Sequence, residues 1–203
     1  MFHEGNRRLQ DRFDTRRIAD RIEEKLVDDT ISPHDAAFIE GADMFFLATA
    51  DDAGNPNCSY KGGDPGFVKV VDEHTIAFPN YDGNGMYLSM GNLLKNPHVG
   101  MLFIDFEKGH RMRLNGEASI DDGGPLMAEY PEAQFVVRVR AREVFPNCPR
   151  YIHRYQLVRR SSFVPRDGCR TPVPEWKRSD WAIDALPEGD PALDPGDREV
   201  LGR

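Results

Sequence analysis

Apolar positions repeat with two different periods along this chain. Near the start, Ile18, Ile22 and Leu26 recur every four residues, while Arg21, Glu23 and Glu24 fall off that stripe. This spacing predicts an amphipathic helix over 16–28 with Thr15 as its cap. Ser32-Pro33 then opens a short second helix ending near Gly41. Ser32 suits the N-cap, Pro33 the first helical position, and Asp35 the positive end of the helix dipole. From Met44 onward the period falls to two. Residues 44–50 form a continuous apolar run bounded by Asp-Asp-Ala-Gly-Asn-Pro, which predicts a buried strand and a hairpin turn, with 57–61 as the returning strand. Residues 67–71 and 75–78 make a second hairpin around Asp72-Glu73-His74.

The pattern continues through the middle of the chain. Met86, Leu88, Leu93 and Leu94 line one side of a helix that ends before Pro97. In 99–105, Val99, Met101, Phe103 and Asp105 share a face. In 111–120, Arg111, Arg113, Asn115 and Glu117 oppose Met112, Leu114, Gly116 and Ala118. Gly123-Gly124-Pro125 opens a helical turn to Tyr130. Residues 134–145 set Val137, Val139 and Ala141 against Arg138, Arg140 and Arg142. About seven short antiparallel strands with helices at the crossovers point to a small barrel flanked by helices. The divisions expected are a flexible polar stretch over 1–14, helices over 15–41, a barrel domain over 42–165, and an extension over 166–203. The extension is rich in Pro, Gly and Asp; Trp176 and Trp181 suggest that part of it docks, and 187–203 reads as a loose end.

Composition narrows the function classes. At 39% apolar and 30% charged, the chain is that of a globular protein. A net charge of −8 argues against a nucleic-acid platform, and Arg138, Arg140 and Arg142 read as the solvent face of one strand. No apolar run approaches the ~18 residues of a membrane span, and 1–17 lacks the apolar centre of a signal peptide. Cys58, Cys148 and Cys169 are widely spaced and odd in number, so they form neither a disulfide framework nor a metal pair. A cytoplasmic protein with reduced cysteines is expected, with Cys58 and Cys148 packed as small buried hydrophobes.

Hydrolytic and metal chemistry find little support. Ser59, Ser89, Ser161 and Ser162 lack a Gly-x-Ser-x-Gly elbow, and no histidine pair has zinc-ligand spacing. Anion binding has more. Lys61, Lys69, Arg111 and Arg113 are candidate cations, and the glycine-broken segment Asn84-Gly85-Met86 is a candidate backbone cradle; a plain cap remains the alternative there. Gly62-Gly63-Asp64-Pro65-Gly66 has the freedom to approach another group closely. Asn147-Cys148-Pro149-Arg150-Tyr151-Ile152 reads as a turn into a short helix, or as a pocket closure with Arg150 and Tyr151 pointing inward.

A set of pieces in fixed order carries a family likeness. They are 45–49 with the turn Gly54-Asn55-Pro56, then 67–72, and Ile76-Ala77-Phe78-Pro79-Asn80. The run to Leu93-Leu94-Lys95-Asn96-Pro97, then 99–103 and 111–116, complete the set. Their order and spacing resemble the flavin-binding split-barrel family of pyridoxamine 5′-phosphate oxidase-related proteins. The run Phe145-Pro146-Asn147-Cys148-Pro149-Arg150 resembles a signature of one branch of it.

The resemblance implies a mainly β fold, an antiparallel six- to seven-stranded split β-barrel of the FMN-binding type. It also implies a homodimer with FMN in clefts at the subunit interface. The implied cofactor-binding residues are Ser59, Tyr60, Lys61, Gly62 and Lys69 on the first segment, and Phe78, Pro79 and Asn80 at the strand end. Asn84, Gly85 and Met86 follow at the phosphate, with Lys61, Lys69 or Arg113 as its cation and Arg111 near the flavin. Two departures matter. The oxidase's phosphate-gripping Arg-Lys pair reads Asn84-Gly85 here. Its substrate-phosphate trio of Tyr, Arg and Ser is missing from 121–131, although Lys69 matches a substrate-contacting lysine. The expectation is an FMN-dependent oxidoreductase acting on a small molecule, not a true pyridoxamine phosphate oxidase. No catalytic residue, metal, nucleic acid or membrane is assigned. The alternatives are a non-enzymatic flavin-binding or sensing protein, or a barrel holding deazaflavin or haem.

Overall fold

Residues 1–194 are described by a computed structural model. The chain divides into two compact units, Met1–Arg160 and Ser161–Arg203. In the first, period-two runs become β1 (Met44–Ala50), β2 (Pro56–Gly62), β3 (Lys69–Asp72), β4 (Thr75–Asn80), β5 (His98–Asp105), β6 (His110–Asp121) and β7 (Phe135–Pro146). They pair antiparallel in one seven-stranded sheet, in the order β2-β1-β5-β6-β7-β4-β3. The fold is mainly β, an antiparallel split barrel with few flanking helices, as the resemblance implied.

The core follows from alternation. Phe45 and Leu47 of β1, Val99, Met101 and Phe103 of β5, Met112 and Leu114 of β6, and Val137 and Val139 of β7 all point inward and are buried. Phe45 is its centre. Its ring stacks on Phe67 at 5.8 Å and meets Phe78 edge-on at 5.0 Å and Phe103 at 5.3 Å. Burying a side chain of this size contributes about 1.5–3 kcal/mol. The glycine-rich stretch after β2 does make a close approach, but to the protein itself. A Cβ on Gly63 would lie 2.3 Å from the Phe67 ring, and the Gly63 N–H donates to Asp43 O at 3.0 Å. A β-bulge between Asn115 and Gly116 leaves Arg142 outside the β6–β7 register, so that Ala141 and Val144 both face inward.

The helices partly follow the sequence pattern. Residues 1–14 contain a helix, α1 (Glu4–Arg12), that the pattern did not announce. Leu9 is its one large apolar residue, so no stripe marks it; end contacts hold it instead. His3 Nδ1 accepts from the Gly5 N–H, Asn6 Oδ1 accepts from the His3 N–H, and Arg7 pairs with Asp20. The stripe helix is α2 (Arg16–Leu26). It stops short of residue 28 because Asp28 exchanges both backbone hydrogen bonds with Val144 of β7. Thr15 sits at its N-cap position but makes no side-chain cap bond. α3 (Pro33–Gly41) has the expected start: Ser32 Oγ accepts from the Asp35 N–H, and Asp35 Oδ2 accepts from the Ser32 N–H. α4 (Leu88–Leu93) begins two residues later than Met86, because Gly85 and Tyr87 both take positive φ. Residues 147–152 turn without forming a helix; Tyr151 has φ 72 and is 92% exposed, so it does not point inward.

In the second unit, the Trp176 and Trp181 rings stack at 5.9 Å, and Lys177 pairs with Asp190 at 2.7 Å with both side chains almost fully buried. Asp190 also caps a 3₁₀ turn over Pro191–Leu193. The rest of the expected loose end, 195–203, lies outside the described residues. Among the described residues, no helix is long and apolar enough to cross a membrane, and no cluster of three His, Cys, Asp or Glu side chains is placed to hold a metal ion.

Candidate functional site

A cleft of about 420 Å³ opens between β2, the end of β4 and the segment leading into α4. That size falls within the range of small-molecule sites, roughly 300–1,000 Å³. The partly buried face of β2 carries Asn57, Ser59 and Lys61, spaced two apart as a strand requires. Asn80 closes β4. The opposite wall is made by Tyr81 and by the stretch from Gly83 to Met90.

That wall has a defined backbone. Asn84 Oδ1 accepts from the Met86 N–H at 3.0 Å, Gly85 sits at φ +75, and Tyr87 at φ +47. A left-handed conformation costs a non-glycine residue roughly 1–2 kcal/mol, so Tyr87 must be held. Its hydroxyl donates to Gln134 Oε1 at 3.0 Å, and the Tyr87 carbonyl accepts from the Gly91 N–H. Ser89 is buried, and its hydroxyl lies 2.9 Å from that of Ser59, which ties the two walls together.

The charge balance of the lining is one-sided. Among the described residues that line it, Lys61 is the one basic side chain and none is an aspartate or glutamate. Lys61 is half-buried, and no hydrogen bond or ion pair reaches its ammonium among the described residues. Burial pushes the Lys61 ammonium below the ordinary lysine value. Tyr81 is also held partly out of water, which pushes its phenol up, with Asp64 and Glu132 adding to the rise.

Of the residues expected at a cofactor, the structure gathers Ser59, Lys61, Asn80, Asn84, Gly85 and Met86 around this cleft. Seven lie outside its lining. Tyr60 points to the other face of β2 and meets the Phe46 ring edge-on at 6.1 Å, and Gly62 is overlain by the Tyr60 ring. Lys69 is paired with Glu129 and lies 5.3 Å from the centre of the Tyr130 ring. Phe78 belongs to the core, and Pro79 is buried opposite Val136. Arg111 and Arg113 lie on β6, Arg113 exposed, Arg111 with a buried Nε that lacks a partner.

Some lining residues escaped the sequence reading. Asn57 was within reach of it, since it alternates with Ser59 and Lys61. Tyr87 was not, because what holds it is Gln134, a residue outside the lining and 47 positions away. The cysteines correct an expectation. Cys58 and Cys148 are exposed in this chain, not buried. Cys58 stands on an edge strand and Cys148 in the turn after β7, where no second layer covers them. The Arg150 N–H and guanidinium, with Arg111 beyond, hold the Cys148 thiol below its ordinary value.

No curated protein matches this sequence. Solved structures resemble it at low identity. An FMN-binding protein from Syntrophomonas wolfei is 14% identical with a TM-score of 0.45, covering 68% of this chain and 95% of that one. HupZ of Group A Streptococcus is 18% identical with a TM-score of 0.46, covering 57% and 93%. HutZ, a heme storage protein from Vibrio cholerae, is 18% identical with a TM-score of 0.42, covering 57% and 93%. The family model of pyridoxamine 5′-phosphate oxidase matches residues 31–160, which include the whole sheet and every wall of the cleft, and the chain belongs to that family.

Proposed function

We propose that this chain binds FMN in the β2/β4 cleft and acts as a flavin-dependent oxidoreductase on a small molecule. The observation that carries the reading is Lys61: a half-buried ammonium that has no counter-charge among the described residues, in a lining where none of them is a carboxylate. Leaving a cation partly desolvated and unpaired is costly, and a bound anion offsets that cost. The donor set suits a phosphoryl group. Lys61 supplies charge, Ser59 and Ser89 supply hydroxyls, and the backbone around Asn84-Gly85 supplies N–H groups where the family's oxidase carries its Arg-Lys pair. FMN would supply the electron transfer, while the protein supplies placement and electrostatics. Without the oxidase's substrate-phosphate trio, a substrate other than pyridoxamine phosphate fits better.

The reading includes a homodimer. The β1 run is apolar on both faces, yet on the face opposite the core only Met44 is buried. On that face a cross-strand row runs Tyr60–Phe46–Leu102–Arg113–Phe145 through four adjacent ladders, and none of the five is buried. A second copy is the partner that such a self-complementary face fits.

The visible spectrum and the mass of whatever copurifies test the reading. A flavin band and the mass of FMN are expected. A haem band or a deazaflavin mass, or a colourless protein that takes up no FMN on titration, overturns it.

A further inference from the structure

We infer that Gln134, which lies outside the cleft, is the positioning residue that holds the cleft wall 81–87 in its ligand-ready shape. The inference rests on the proposed cofactor reading for the ligand, but not for the wall itself.

The geometry is a strap across both ends of one loop. Gln134 Oε1 accepts from Asn80 Nδ2 at 2.9 Å and from the Tyr87 hydroxyl at 3.0 Å. The Gln134 N–H also donates to Asn80 O at 2.9 Å. Asn80 is the last residue before the loop and Tyr87 the last before α4, and both line the cleft. One side-chain oxygen therefore fixes the span between them. The loop's own hydrogen bonds are short-range. Asn80 Nδ2 also reaches Tyr81 O at 3.3 Å, the Asn84–Met86 contact is internal, and residues 82–87 are exposed. Tyr87 sits at an unfavourable φ that its own backbone does not select. Releasing its hydroxyl lets the residue leave that conformation. The backbone around Asn84 and Gly85, part of the cleft wall, then loses its fixed position.

Gln134 itself is exposed, so replacing it removes no core packing. Gln134→Leu removes the acceptor at similar size, whereas Gln134→Glu keeps a carboxyl oxygen for both donors. The first measurement is hydrogen–deuterium exchange on the apo full-length chain. Gln134→Leu should speed exchange in 81–88 by at least about fivefold and leave β1, β5 and β6 unchanged, and Gln134→Glu should behave as the parent. Equal exchange in parent and Gln134→Leu overturns the inference. The second is titration with FMN, followed by quenching of flavin fluorescence. Affinity should fall about tenfold in Gln134→Leu, the loss expected when hydrogen bonds of this kind are removed. Tyr87→Phe should weaken binding too, and the double variant should lose much less than the product of the two single losses. Multiplying losses overturn the coupling. A parent that binds no FMN overturns the cofactor reading, while the exchange result still decides the role of Gln134.

Discussion

The hydroxyls of Ser59 and Ser89 meet at 2.9 Å, joining the edge strand β2 to the first turn of α4. β2 pairs with β1 on one side only. Its other edge has no ladder among the described residues, and this contact ties β2 to the opposite wall. It also sets the spacing across the cleft in which Lys61 stands, two residues along the same strand face.

Replacing Ser59 with Ala should therefore widen the cleft more than it weakens the fold. A part-buried hydrogen bond of this kind contributes about 0.5–1.5 kcal/mol. The expected outcome is a melting temperature lowered by a few degrees and FMN affinity reduced several-fold, read by differential scanning fluorimetry and fluorescence titration. Unchanged affinity would show that the ligand does not depend on this spacing.

Lys61→Met should separate stability from binding in a sharper way. In the apo chain the ammonium is partly desolvated and unpaired, so removing it should leave the melting temperature unchanged or raise it. A charge-assisted hydrogen bond to a phosphate is worth roughly 1.5–3 kcal/mol, so FMN affinity should fall about tenfold to a hundredfold. The pH dependence has a definite sign. The folded value of Lys61 is lowered by burial, so the unfolded chain holds this proton more tightly. Apo stability at this site therefore rises with pH between the folded value and the unfolded lysine value near 10.4, rather than falling. Anion binding favours the charged form, so affinity should decline with rising pH before the ordinary lysine range is reached. Isothermal titration across alkaline pH checks this, and a flat profile in the parent would remove Lys61 from the site.

How much of this was legible in the sequence depends on the range of the interactions. β1 carries a run of apolar residues between turn signals, and its ends match the structure residue for residue. The inward set of β6 was legible because the period holds from Met112 to Ala118. α1 was not, since its ends are fixed by His3 and Asn6 and by an ion pair to Asp20 rather than by an apolar stripe. Within the cleft, Ser59 and Lys61 could be named from one strand face. The strap through Gln134 could not, because nothing local marks a glutamine that meets Asn80 from 54 residues away. The exposed cysteines were misjudged for a related reason: cysteine's usual preference for burial gives way when the residue falls on an unpaired edge or in a turn.

Gly116 should prove intolerant of the smallest side chain. A Cβ there would lie 2.2 Å from the carbonyl oxygen of Arg140, a backbone atom that cannot swing aside. The contact sits at the β6–β7 bulge, so relief requires the two longest strands to part. Gly116→Ala should destabilise the protein by about 2–3 kcal/mol, at the upper end of overpacking effects. Urea denaturation should show a lower midpoint. Gly123→Ala is the control, because nothing lies near its added methyl.

The outer face of β1 and β5 yields the last prediction. Phe46 stands opposite both Tyr60 and Leu102, and Leu102 stands opposite Arg113. In an antiparallel sheet with one face in water, the outward positions are ordinarily polar. Here they are aromatic and aliphatic at the centre, which fits a surface covered by a second copy. Leu102→Glu would put a carboxylate in the middle of the apolar row, to be desolvated when a second copy covers it, so association should weaken. The side chain points away from the core, so the monomer should keep its far-ultraviolet circular dichroism. Light scattering after size exclusion is expected to give a dimer mass for the parent and a monomer mass for Leu102→Glu. The substitution also separates two ways in which the cleft could work. If the cleft is complete in one chain, monomeric Leu102→Glu retains FMN; if a second copy finishes it, cofactor and dimer are lost together. A monomeric parent would remove the second copy from the account.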